Sequence, residues 1–230
     1  SPNQLADPDL VAETSVDNNF RGRGIAYLYV RLDWDGNVFG NGIPIITAMV
    51  KGRKVYDPRS GARVWTDNAA LCIRDYLEQP FGLNSIQSPT SLGSSDWVVA
   101  ANVCDIQVTK KDNTTEKRYA LNGVVSTANT PRTNLQNMLT SCGGTLFWGQ
   151  GQWQFKVGYF PSGPYVSFNS DDLRSGINLV TKNSRKENFN TVSGTFLDKE
   201  QGYIEVDYPK VESTVFLERD NNQTNTLDMS

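Results

Sequence analysis

Histidine is absent from the 230-residue chain. Its absence removes the commonest general base, the Ser-His-Asp and Cys-His nucleophile arrangements, and the commonest metal ligand. Cysteine is scarce: Cys72, Cys104 and Cys142 lie far apart with no CxxC spacing. Neither a zinc site nor a disulfide framework is signalled, and each reads as a small buried apolar group. An odd cysteine count without a signal sequence fits synthesis in a reducing compartment, and a start at Ser1-Pro2 in place of Met points to a natural start elsewhere. No apolar run is long enough to cross a bilayer. Basic charge of the kind that grips nucleic acid is also missing: 22 Lys and Arg stand against 25 Asp and Glu, and no cluster of basic residues stands out along the chain.

What is present is a 38% apolar composition with 10% aromatics, enough for a packed core in one large or two modest domains. Acidic residues collect at both ends. Residues 1–19 carry Asp7, Asp9, Glu13 and Asp17 with no Lys or Arg, and from Asp198 onward eight acids face Lys199, Lys210 and Arg219.

Residues 1–19, polar and holding Pro2 and Pro8, read as a linker or an arm ordered only by a partner. The run from Ile25 to Trp34 is dense in β-branched and aromatic residues and reads as a strand. A second extended run follows from Ile43 to Tyr56, with turn chemistry at Asp57-Pro58-Arg59-Ser60-Gly61. Thr66 or Asp67 is placed to cap a helix carrying Ala70, Ile73, Tyr76 and Leu77, ended by Pro80 and Gly82. Ser94-Ser95-Asp96 caps another toward Val103. Residues 105–125 read as a hairpin turning at Lys111-Asp112-Asn113-Thr114.

The clearest helix starts at a cap on Asn129 or Thr130, with Pro131 in the first turn and Leu135, Met138, Leu139 and Cys142 on one face. Gly143-Gly144 ends it. Thr145–Trp148 and Trp153–Val157 then flank a four-residue loop, Gly149 to Gln152, as a second hairpin. Alternating runs at 187–196 and 203–208 complete a β-like remainder, and residues 218–230 read as a polar tail. The order is β, then an α/β block, then β again.

Motif candidates resolve toward bland readings. Asp33-Trp34-Asp35-Gly36-Asn37 looks like the start of a calcium loop, but its Gly is at the fourth position instead of the sixth and Pro44 replaces the closing Glu, so a Gly-Asn turn is the better reading. Asp171, Asp172, Glu205 and Asp207 match glycoside-hydrolase acids in type alone. Trp34, Trp65, Trp97, Trp148 and Trp153 invite a carbohydrate-binding reading, though most sit at core spacing. Gly149-Gln150-Gly151 has no Lys-Ser or Lys-Thr behind it and is a turn, not a phosphate cradle.

Three passages together resemble the tip attachment (host specificity J-like) proteins of siphophages, the central hub and fibre proteins of the tail tip. They are Phe39–Pro44 continuing to Val50–Gly61; Trp65–Leu77 with Phe81–Leu83; and Tyr119–Val125, Pro131-Arg132, the helix to Gly143-Gly144 and the strand pair ending at Gly158. About two-thirds of the chain is covered. The positions the resemblance marks as structural are Gly52, Val55, Tyr56, Asp57, Pro58, Gly61, Trp65, Asp67, Asn68, Asn122, Gly123, Pro131, Arg132, Gly143 and Trp153. It assigns no catalytic residue, cofactor or metal.

The resemblance implies an α+β, predominantly β fold: a hub-type β-barrel formed by 20–60 and 176–217, with an α/β domain at 61–175 inserted at Asp57–Gly61. It implies a fragment of a longer virion protein, made in the host cytoplasm and placed at the tail tip, that forms a homotrimeric ring. Distal tail and tape measure proteins would be its neighbours, DNA would pass the lumen without specific binding, and missing distal regions would meet the host receptor. A neutral-to-acidic lumen is expected, because phosphate repulsion prevents sticking. Two rivals are a carbohydrate- or receptor-binding module, which needs exposed aromatics around a groove, and a cell-wall hydrolase, which needs paired carboxylates in a cleft.

Overall fold

The structure is a computed structural model. It describes residues 3–229 apart from 34, 38, 41, 86–93, 111, 150, 160–165, 177, 179, 180, 182, 183 and 185–187. The chain divides into two compact units, Ser1–Ala48 and Met49–Ser230.

In the first unit, α1 spans Pro8–Glu13, with Asp7 as its cap: the carboxylate accepts from the amides of Asp9 (3.1 Å) and Leu10 (3.0 Å). The expectation of an arm without structure of its own is therefore corrected. Asp7 satisfies two orphan amides, and Pro8 sits in the first turn where it has no N–H to leave unpaired. The expected strand from Ile25 is not found among the described residues, where 25–33 lie outside any ladder and Ile25, Leu28 and Val30 are exposed. Strand propensity describes a pleated surface against a neighbour, and no neighbour is supplied here. Asp35 closes the expected turn, accepting from the Asn37 amide at 2.9 Å; Trp34, Val38 and Asn41 lie outside the described residues.

The second unit begins with a hairpin of β1 (Val55–Asp57) and β2 (Ala62–Val64), paired Val55 to Val64. Gly61, at φ 69°, completes the turn. Asp57–Gly61 thus links two strands of one hairpin, and the division of the chain falls before Met49. α2 (Ala69–Glu78) is the centre of the unit, with Ala69, Ala70, Leu71, Ile73, Tyr76 and Leu77 all buried. Its cap is Asn68, one residue beyond the expected Thr66 or Asp67.

α3 (Ser94–Cys104) lays Trp97, Ala100, Ala101 and Cys104 on it. The hairpin of β3 (Gln107–Thr109) and β4 (Thr115–Lys117) lies within the expected 105–125, but its second strand ends at Lys117, before Tyr119, Leu121 and Val124. α4 (Pro131–Thr140), capped by Thr130, adds Leu135 and Met138. β5 (Thr145–Gly149) and β6 (Gln152–Lys156) pair to the Gly149–Gln152 rung, so their connection is shorter than the four residues read from the sequence. Phe155 of β6 stacks on Trp97, centroids 4.9 Å apart at 13°. Burying a side chain of this size contributes on the order of 1.5–3 kcal/mol. Three elements distant in sequence are therefore held by one apolar contact surface.

Toward the C-terminus, β7 (Thr191–Ser193), β8 (Thr195–Asp198), β9 (Ile204–Asp207), β10 (Val211–Glu212), α5 (Thr214–Arg219) and β11 (Thr226–Asp228) follow. β7 is central in a three-stranded sheet, antiparallel to β10 and parallel to β11, while β8 and β9 form a separate hairpin. Residues 218–230 are thus not a free tail. Asn190, buried, donates from Nδ2 to Asp220 Oδ2 (2.9 Å) and the Gln223 carbonyl (2.8 Å), and accepts from the Asn225 amide (2.9 Å). Polar residues that look solvated in the sequence serve here as backbone partners, with Asn221 and Asn222 in left-handed conformation.

The chain is α+β. Helix and strand occupy 22% and 20% of it, so strand does not predominate. The described residues hold small separate sheets, none closed into a barrel, and no ladder among them joins 20–60 to 176–217.

Candidate functional site

The strongest polar constellation lies where the β1–β2 turn, the start of α2, the end of α3 and β4 meet. Asp57 accepts Arg59 Nε at 3.0 Å and Nη2 at 2.9 Å, and the Arg59 amide at 2.9 Å. Arg59 Nη1 reaches across to Asp105 Oδ2 (2.8 Å) and Asn102 Oδ1 (3.2 Å). Lys117 Nζ completes the chain, 2.7 Å from Asp67 Oδ1 and 3.2 Å from Asp105 Oδ1. Three carboxylates and two cations alternate, each acid facing at least one base.

The electrostatics follow from this alternation. The Arg59 hydrogen bond holds the Asp57 carboxyl below its ordinary range against the opposing effect of burial. Burial pushes Asp105 up, but hydrogen bonds from Arg59, Asn68 and Lys117 outweigh it and leave the group lowered. Burial likewise works against the charge of Lys117, and the hydrogen bonds it donates to Asp67 and Asp105 overcome it, raising the ammonium. Asp57, Asp105 and Lys117 are held charged, which suits an ion-paired clamp and not a proton-transferring acid or base.

Asn68 ties this network to the core. It is fully buried at 0% exposure; Oδ1 accepts from the Leu71 amide (3.3 Å) and Nδ2 donates to the Ala101 carbonyl (2.9 Å). One side chain thereby caps α2 and satisfies α3, while its backbone bridges to Ala120.

The structure brings Val55, Asp57, Asp67 and Asn68 together, with Tyr56 and Pro58 half-buried alongside. The Arg74 guanidinium, itself buried, stands 5.1 Å over the Tyr56 ring. Trp65 is exposed, with Lys51 Nζ 5.1 Å above its ring, and Gly52 is open to solvent nearby. Asn122 and Gly123 follow the β4 side of the same junction, where the Leu121 amide donates to the Asp67 carbonyl at 2.7 Å. Pro131 begins α4, Arg132 is exposed on it, and Gly143 (φ 55°) ends it. Trp153 is half-buried, edge-on to Trp148 at 5.3 Å; Trp148 itself is exposed near the hairpin tip.

Two of the four acids weighed for hydrolysis have local tasks. Asp172 accepts the Asn169 amide in a capping box, and Glu205 accepts the Thr195 hydroxyl at 2.6 Å. Among the described residues no group of three His, Cys, Asp or Glu is placed to hold a metal ion. Burial raises the thiols of Cys72, to about 12, and Cys142, to about 11, and also raises Cys104.

Arg59, Asp105 and Lys117 were not singled out by sequence reasoning, because their partners lie up to 50 residues away. Residues 51–63 carry Lys51, Arg53, Lys54, Arg59 and Arg63 against Asp57 alone, and Arg53 and Arg63 share the Asp75 carboxylate at 3.0 and 3.6 Å. No family model matches the chain, and no curated protein is significantly similar to it.

Proposed function

We propose that this chain is a structural component of a bacteriophage tail tip: a hub piece that joins copies of itself around a channel and performs no turnover. The observation that carries the reading is the use made of the matched passages. Val55, Asp57, Asp67 and Asn68 meet at one junction, where they serve as a packed side chain, an ion-pair acceptor, a Lys117 partner and a helix cap. Residues spent in this way stiffen a scaffold, and the absence of histidine from the sequence removes the usual means of proton transfer. The barrel expected of a hub would be completed by strands from neighbouring copies, since a closed ring requires head-to-tail contacts between identical subunits. Distal tail and tape measure proteins would flank the ring, and DNA would pass a neutral-to-acidic lumen.

The test is mass in solution. Purified chain should sediment at the mass of three copies of the 25.6 kDa polypeptide, alone or with neighbouring tail proteins, and should release nothing from peptidoglycan. A strict monomer under both conditions, or peptidoglycan cleavage lost on replacing one Asp or Glu, would overturn the reading.

A further inference from the structure

Two isolated hairpins of the second unit carry opposite charge. The segment leading into and through β1–β2 holds five bases against one acid; Arg53, Arg59 and Arg63 are paired with Asp57, Asp75 and Asp105, which leaves Lys51 and Lys54 to face outward. Lys51 and Lys54 are exposed on it, and so are Val64 and Trp65, the latter 41% exposed with Lys51 Nζ 5.1 Å over its ring. The β8–β9 hairpin, residues 195–207, holds Asp198, Glu200, Glu205 and Asp207 against Lys199 alone. Its register pairs Leu197 with Glu205 and Thr195 with Asp207, so both exposed carboxylates flank Leu197 on one face. Leu197 is 61% exposed, and Phe196 and Ile204 are exposed on the other face.

A lone two-stranded hairpin is marginal in water and gains stability when an apolar face is covered. Each hairpin here offers a small apolar centre rimmed by charge of one sign, the pattern of a protein interface. Both present exposed side chains in one copy and belong to separate sheets, and another molecule can supply the complement of each. We propose that the acidic β8–β9 hairpin of one copy seats on the basic β1–β2 hairpin of the next. Leu197 would meet Trp65, and Glu205 and Asp207 would face Lys51 and Lys54. Because the two surfaces differ, the contact is heterologous and repeats head to tail. This inference rests on the self-associating reading above and supplies its contact.

Charge reversal tests it, read by sedimentation at low and high salt with thermal melts as the folding control. Lys51 and Lys54 lie outside the Arg53–Asp75–Arg63 ion pairs, so K51E/K54E leaves buried Asp75 partnered. K51E/K54E and E205K/D207K should each weaken self-association about tenfold or more, since like charges then oppose one another. The quadruple variant should restore it, and wild-type association should weaken with salt. Association that persists unchanged in both doubles overturns this contact while leaving the ring reading standing. Absence of association in the wild type, both alone and with neighbouring tail proteins, overturns both. A wild-type monomer that instead binds a DNA oligonucleotide, with binding lost in K51E/K54E, overturns the proposal and assigns the basic hairpin to nucleic acid.

Discussion

Replacing Asn68 with alanine removes the cap of α2 and, with it, the bonds from Asn68 to the Ala101 carbonyl and the Asp105 carboxylate. The cap on α2 is lost with the bond to the Leu71 amide, a cost of about 1 kcal/mol. The Ala101 carbonyl, which accepts from Nδ2 at 2.9 Å, keeps only the Asp105 amide (3.1 Å), and the Asp105 carboxylate loses its bond from Asn68; together these cost about 2 kcal/mol. The expected loss is about 3 kcal/mol by urea unfolding, with the slope against denaturant unchanged. Asn68→Ser separates the two, because a serine hydroxyl keeps the cap but does not span to α3; about 2 kcal/mol should be lost. Asn68→Asp keeps the acceptor and loses the donor, and it places a buried carboxylate beside Asp67 and Asp105. Such a group has a raised folded-state pKa, so its penalty is present at neutral pH and recedes as pH falls through that pKa. If Asn68→Ala unfolds within about 0.5 kcal/mol of the wild type, or Asn68→Ser is indistinguishable from it, the assignment of Asn68 as the pin between α2 and α3 is wrong.

Acid sensitivity should follow the ion network. Asp57 and Asp105 have lowered folded-state pKa values, so their contribution is present above the ordinary carboxylate pKa of about 4 and is lost below it; Arg59→Gln should shift acid unfolding, followed by tryptophan fluorescence, to higher pH, and an unmoved midpoint would count against the network. The thiols should be silent in the folded chain: with Cys72 raised to about 12 and Cys142 to about 11, a disulfide reagent at pH 8 should label the native protein at least about 100-fold more slowly than the unfolded one. Rapid native labelling would refute their burial.

Helices bounded by local chemistry were legible in the sequence. α4 is the clearest case: Pro131 at the start, Leu135 and Met138 on one face and Gly143 at the end are all short-range signals, and the helix lies where they place it. The β5–β6 hairpin and its inward Phe155 were legible for the same reason, since alternation is local. The Ile25 run was not, because strand propensity says nothing about whether a partner strand exists. The polar stretch after Leu217 misled in the opposite direction: composition read Asn221–Asn225 as solvated, whereas folding turned the stretch toward Asn190. The Asp57–Arg59–Asp105–Lys117 clamp depends on tertiary approach alone. Its members were visible as residues and invisible as a group.

The parallel pairing of β11 on β7 has a consequence for biosynthesis. The helical core is complete in sequence by Val157, so it is free to condense while the ribosome is still translating the remainder. The terminal sheet cannot do so, because Thr226–Asp228 supply one of its three strands. Until those residues leave the exit tunnel, Asn190 has no Asn225 amide to accept and β7 keeps a bare edge. Nascent chains are exposed to mispairing during that interval, and maturation of this protein is therefore a two-stage process timed by translation.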